Sequence, residues 1–199
     1  MIYLGLLSYQ NPFNPKASRN IGDYIQSLAA LNIYYKYICQ QNPDYNDDFE
    51  TFLKQMVKNQ VPNYKFVWIR RDRMNHSKNQ YNSDQKIVLI MNAWWMHPYN
   101  SADEIDFKIP DYIIPIFVSF HIANKKLLEP SYIDELKKYQ PIGCRDQSTT
   151  KKLLKSGVDA YFSGCLTTTI DFLKWKLPVK PKDQKVFCVD TKLQNHIHI

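Results

Sequence analysis

The sequence predicts an α/β fold, a doubly wound domain around a parallel sheet, and three observations predict it. Apolar runs of strand length alternate with stretches of helical periodicity along the chain. The runs at 86–91 and 113–120 are apolar on both faces, as a sheet covered by helices on each side requires. Polar residues follow the runs, Asn92, His121, Arg145 and Asp146 among them, and in such folds ligands bind outside the carboxyl ends of the strands.

Residues 2–8 form the first strand, and a loop containing Pro and Asn runs from 10 to 19. Over 21–38, Ile21, Ile25, Leu28, Ala29, Ile33 and Tyr37 recur at helical spacing, with Asn20 placed as the N-cap. Phe49, Phe52, Leu53 and Met56 give a shorter helix over 44–58. Residues 66–69 read as a strand, and the polar, charged stretch 70–85 reads as a surface loop. After the strands at 86–91 and 113–120, a short helix is expected at 132–139 and a short strand at 141–144. A helix at 147–156 should stop at Gly157, a natural C′ residue, before a last strand at 158–165.

Residues 177–181, with Pro178 and Pro181, read as a linker, and 185–189 as the start of a new strand. One strand cannot make a domain. The expected organisation is therefore an N-terminal domain over 1–177, followed at 178–199 by a linker and the first strand of an otherwise absent second domain.

At 199 residues the chain holds one full domain with a core, or one domain and a fragment. Its 44% hydrophobic and 23% charged residues are ordinary for a folded soluble protein, so disorder is not the expectation. The 14 Tyr, 10 Phe and 4 Trp supply large buried areas, and rings left at the surface can stack on sugars. The net charge of +7 comes mainly from dispersed Lys, which reads as solvated surface rather than as a nucleic-acid interface; it suits an anionic small molecule. Cys39, Cys144, Cys165 and Cys188 lie far apart without CxxC spacing, so neither a metal site nor a disulfide framework is expected. The N-terminal apolar run lacks a preceding positive region, and no run approaches the ~20 residues of a membrane span. A cytoplasmic, reducing location fits these features.

Three groups carry the chemistry. Asn20, Gly22 and Asp23 open a helix after the first strand, where Gly permits close approach and free amides favour an anion; ordinary capping is the plainer reading. Arg145 stands where a short strand turns into a helix and can present a bidentate fork to phosphate or carboxylate, or pair with Asp146 or Asp23. His121 ends a strand and can transfer a proton near neutral pH, or simply bond a carbonyl in the interior. The segment 163–167, ending in Thr167, should converge on the same edge.

Five segments occur in an order that resembles the successive motifs of the polysaccharide pyruvyl transferase family. They are Asn-Ile-Gly-Asp-Tyr-Ile-Gln-Ser-Leu-Ala at 20–29, Met-Asn-Ala-Trp-Trp-Met at 91–96, Ile-Pro-Ile-Phe-Val-Ser-Phe-His-Ile at 114–122, Pro-Ile-Gly-Cys-Arg-Asp at 141–146 and Tyr-Phe-Ser-Gly-Cys-Leu-Thr at 161–167. The resemblance implies the first, Rossmann-like half of a glycosyltransferase-B-like fold. It also implies transfer of the pyruvyl group of phosphoenolpyruvate to glycan hydroxyls as a ketal. Arg145 matches the basic residue of a Gly-x-Arg-Asp motif near the donor, with Asp146 beside it. Asn20, Gly22 and Asp23 match the opening Asn-x-Gly-Asp motif, and Thr167 closes the last one. His121 and Asn92 are the catalytic candidates, no cofactor beyond the donor substrate is expected, and the partners are phosphoenolpyruvate and a glycan.

The family's second domain carries an Arg- and His-containing motif, for which His196 and His198 are no substitute, so a homo-oligomer or a second chain would complete the cleft. The alternatives are a non-catalytic half-domain that binds a glycan, an anion or a partner, and a sugar-nucleotide glycosyltransferase, since the fold hosts both chemistries.

Overall fold

The computed structural model describes residues 1–11, 14–17, 20–45, 47–71, 74, 85–95, 107–123 and 125–170. In chain order these form β1 (Ile2–Ser8), β2 (Gln10–Asn11), β3 (Asn14–Ala17), α1 (Ile21–Gln41), α2 (Phe49–Val57), β4 (Tyr64–Arg70), β5 (Ile87–Ile90) and β6 (Trp94–Trp95). They continue with β7 (Ile113–Ile116), β8 (His121–Ile122), α3 (Pro130–Lys137), β9 (Ile142–Cys144), α4 (Gln147–Lys155) and β10 (Ala160–Phe162).

The main sheet is parallel, in the order β4-β1-β5-β7. A parallel pair, β9 and β10, joins it through Phe120, whose N–H donates to the Gly143 carbonyl at 2.9 Å and whose carbonyl accepts from the Arg145 N–H at 2.8 Å. Side chains alternate across a strand. Leu4 and Leu6 accordingly pack with Ala30, Leu31, Tyr34 and Phe52 of α1 and α2, whereas Leu7, Ile87 and Leu89 pack with Leu136 of α3 and Leu153 of α4. Helices thus cover both faces of a four-stranded parallel sheet, an α/β architecture compatible with a Rossmann-like fold. Among the described residues no helix is long and apolar enough to cross a membrane.

Local signals set the ends of the helices. Asn20 caps α1 by accepting the Gly22 N–H at 2.9 Å. Asp48 caps α2 by accepting the Thr51 N–H at 2.7 Å, which moves the start of that helix from the expected 44 to 49. Pro130 occupies the first turn of α3, where its missing N–H costs nothing. Gly157, at φ +75°, ends α4 as expected.

The strand expected over 113–120 is divided. It stops at Ile116, and Ser119 adopts φ +59° before β8 pairs with β6. The reason is local satisfaction of polar groups from elsewhere in the chain. The Ser119 N–H donates to Ser163 Oγ at 2.8 Å and its hydroxyl accepts the Leu166 N–H at 3.0 Å, bonds a continuing ladder could not make. The last strand is shorter than expected for a related reason, since Gly164 turns the chain at φ +76° after β10. Most of the expected surface loop at 70–85, the linker, the strand at 185–189, His196 and His198 lie outside the described residues.

Gly143 sits where β9 passes under Tyr161. A Cβ there would stand 2.7 Å from the Phe117 carbonyl oxygen and 2.8 Å from the Tyr161 hydroxyl. The carbonyl belongs to the backbone and cannot swing aside, so Gly143→Ala should destabilise the fold by about 1–3 kcal/mol. A thermal melt unchanged from wild type would contradict this packing.

Candidate functional site

The sheet order places the strand after β4 on the far side of β1, so the carboxyl ends of β1 and β5 flank the switch in chain direction. Asn92 follows β5 there. It is 1% exposed, and its Nδ2 donates to the Gln26 carbonyl of α1 at 2.8 Å. With the Gln26 amide oriented to satisfy both neighbours, its nitrogen donates to the Asn92 carbonyl at 3.0 Å and its oxygen accepts from Arg145 Nη1 at 3.2 Å. A polar chain thus runs from the end of β5 through α1 to Arg145, at the end of β9.

Arg145 is also tied through its backbone to Phe120, the residue before His121. His121 Nδ1 lies 2.5 Å from Asp146 Oδ2. The same carboxylate caps α4, with Oδ1 accepting the Thr149 N–H at 2.8 Å and Oδ2 the Thr149 hydroxyl at 2.9 Å. The side chains of His121 and Asp146 remain 17% and 33% exposed, so the pair is reachable from solvent.

Burial is the largest influence on His121 and lowers its pKa below 6.5; Asp146 opposes the shift, and the charges of Arg145 and Lys152 reinforce it. Burial alone would raise the Asp146 carboxyl, but the bonds from His121 and from the Thr149 N–H and hydroxyl outweigh it, and its pKa falls. Both directions favour a neutral ring beside an ionised carboxylate at neutral pH. A carboxylate only accepts, so the network assigns the proton to Nδ1 and makes Nε2 the basic nitrogen of the ring. Burial pushes the neighbouring Cys144 thiol up to about 11, which keeps it protonated and unsuited to nucleophilic work.

The structure therefore connects Asn92, His121, Arg145 and Asp146 at one sheet edge. The other residues singled out from the sequence have separate surroundings. Asn20 and Gly22 form the cap of α1, and buried Asp23 lies 3.7 Å from Arg71 Nη1. The Arg71 guanidinium in turn stands over the Tyr9 ring, 5.0 Å from its centroid. The Thr167 hydroxyl lies 3.0 Å from Cys165 Sγ in the turn after β10. Gln26 and Thr149 are neighbours of these candidate residues that the sequence reading missed. Thr149 carried a signal, being three residues beyond an Asp at a helix start; Gln26 carried none, since its role depends on two segments remote in sequence.

Among the described residues no group of three or more His, Cys, Asp or Glu side chains could hold a metal ion. What the edge can do is accept a proton at His121 Nε2 beside a guanidinium suited to an anion. Fold and site together define a parallel-sheet α/β protein with a histidine–aspartate pair and an arginine at its carboxyl edge. No protein-family model, curated protein or solved structure matches the chain.

Asp146 serves the helix cap and the histidine at once, and two substitutions separate these tasks. Asp146→Asn keeps an oxygen for the Thr149 N–H and should melt within a few degrees of wild type. Asp146→Ala removes the cap and should cost about 1 kcal/mol or more of stability. Equal melting of Ala and wild type would show that the cap contributes nothing.

Proposed function

We propose that this chain acts in pyruvyl transfer, moving the pyruvyl group of phosphoenolpyruvate onto glycan hydroxyls as a ketal, within a glycosyltransferase-B-like first half. The observation that carries the reading is the neutral His121, held through Nδ1 by Asp146, beside the Arg145 guanidinium. The resemblance of the five ordered motifs supplies the identity of the reaction.

Phosphoenolpyruvate bears a phosphate and a carboxylate, and Arg145 offers either one a planar fork of N–H donors. Gln26 and Asn92 position that fork. As the methylene carbon takes a proton from solvent and becomes a methyl group, an acceptor hydroxyl attacks C2 of the donor and loses its own proton to His121 Nε2. A second hydroxyl then displaces the phosphate at the same carbon, which closes the ketal, and its proton leaves with the inorganic phosphate. Asp146 remains ionised and stabilises the imidazolium formed in the first step. In this reading Asn20, Gly22 and Asp23 shape the start of α1, and Thr167 the turn after β10.

The test joins binding to turnover. In calorimetric titration, Arg145→Lys should lower phosphoenolpyruvate affinity roughly ten- to a hundredfold while the protein stays folded. Unchanged affinity would remove Arg145 from the site. In a phosphate-release assay with a glycan acceptor, the base form of His121 survives to lower pH than an ordinary histidine, so the acid limb should have its midpoint below 6.5. Asp146 raises the pKa of the ring, so Asp146→Asn should move that limb lower still and reduce kcat by about 10²-fold or more. An acid limb that stays in place in Asp146→Asn would exclude His121 as the base.

A further inference from the structure

We propose that a second pocket, at the carboxyl ends of β1 and β4, binds a small anion that carries a flat aromatic ring. The pocket has a volume of about 460 Å³, within the range of small-molecule sites, and its lining includes none of Asn92, His121, Arg145 or Asp146. Its inner wall is apolar, built from Leu6, Leu28 and Leu31 between β1 and α1. Neighbouring residues of α1 divide the two sites. Gln26 reaches toward Asn92 and Arg145, whereas the Ser27 hydroxyl donates to the Leu7 carbonyl at 2.6 Å and lines the pocket.

Two residues of the outer strand, Trp68 and Arg70, give the pocket its chemistry. They are two apart on β4 and therefore project from the same face, with Leu6 and Ser8 of β1 opposite them in register. Trp68 is 54% exposed, although a ring of that size contributes most to stability when it is covered. Among the described residues no carboxylate pairs with Arg70. A large exposed indole and a guanidinium with no carboxylate partner among the described residues, on the rim of a concave apolar pocket, form complementary halves of one recognition surface. The ring stacks on a ligand's π-face, and the fork takes its phosphate or carboxylate.

Two strand residues rise roughly 6.6 Å, which sets the spacing between the two halves. A bare anion meets only Arg70, and an uncharged ring meets only Trp68. A nucleoside monophosphate presents both groups in one molecule, and the Ser8 and Tyr24 hydroxyls line the same pocket. This inference does not rest on the reading of His121.

The test titrates the full chain by calorimetry with uridine and adenosine monophosphates, uridine, inorganic phosphate and glucose 1-phosphate. The monophosphates should bind saturably and at least about tenfold more tightly than the other three. Arg70→Gln and Trp68→Ala should each weaken them roughly tenfold or more, and Trp68→Phe should restore most of the loss from Trp68→Ala. Melting curves of the variants establish that they are folded, and Arg70→Gln should leave phosphoenolpyruvate affinity unchanged, which separates this pocket from Arg145. Three results would overturn the proposal. They are no monophosphate binding at millimolar concentration, equal affinity for glucose 1-phosphate or inorganic phosphate, and undiminished binding in folded Arg70→Gln.

Discussion

The carboxylate of Asp146 is the interaction on which the site depends, because it meets three donors from two elements. It accepts the Thr149 N–H and hydroxyl at the start of α4 and faces Nδ1 of His121 at the start of β8. The helix needs an acceptor at that position for its unsatisfied amides, and the histidine needs one to fix its ring. A single anion meets both needs, so the orientation of His121 is inherited from the geometry of a helix cap. The same arrangement explains the electrostatics. Three hydrogen bonds keep the carboxylate ionised despite burial, while burial keeps the ring neutral.

Helix α1 supplies the second support. Its side chains reach across one face of the sheet and bond to strand backbone rather than only packing on it. The Ser27 hydroxyl donates to Leu7, and the Tyr34 hydroxyl lies 3.1 Å from the carbonyls of both Gly5 and Val88 while accepting the Ile90 N–H at 3.2 Å. These bonds fix α1 over the β1–β5 junction, and Gln26, one turn before Ala30, is thereby placed between Asn92 and Arg145. Burial raises the Tyr34 hydroxyl well above its ordinary pKa, so the bonds persist across the working pH range. Backbone stiffness at the switch in chain direction thus becomes side-chain order at the edge.

Much of this was legible in the residues, and the remainder shows where local signals stop. The strand at 2–8, the Asn20 cap and the Gly157 stop follow from short-range chemistry, and all three stand in the structure. The division of the strand after Ile116 could not be read, because it rests on Ser163 and Leu166, more than forty positions away from Ser119. At the edge, the position of Arg145 and Asp146 after a strand was legible, but their partners were not. The sequence left Arg145 a choice between a ligand and the carboxylates of Asp146 or Asp23. In the fold Asp146 faces His121, Asp23 lies beside Arg71, and Arg145 reaches Gln26. The exposed pairing of Trp68 with Arg70 was equally hidden, since it needs the register of β4 against β1 before the two residues share a pocket.

The central claim is that Asp146 holds His121 as a neutral base protonated at Nδ1. Nitrogen-15 spectroscopy of the histidine rings across a pH titration tests it directly, with His121 assigned by its absence in His121→Gln. The account predicts the Nδ1–H tautomer at neutral pH and a pKa below 6.5. An Nε2–H tautomer, or a pKa at or above 6.5, would contradict it.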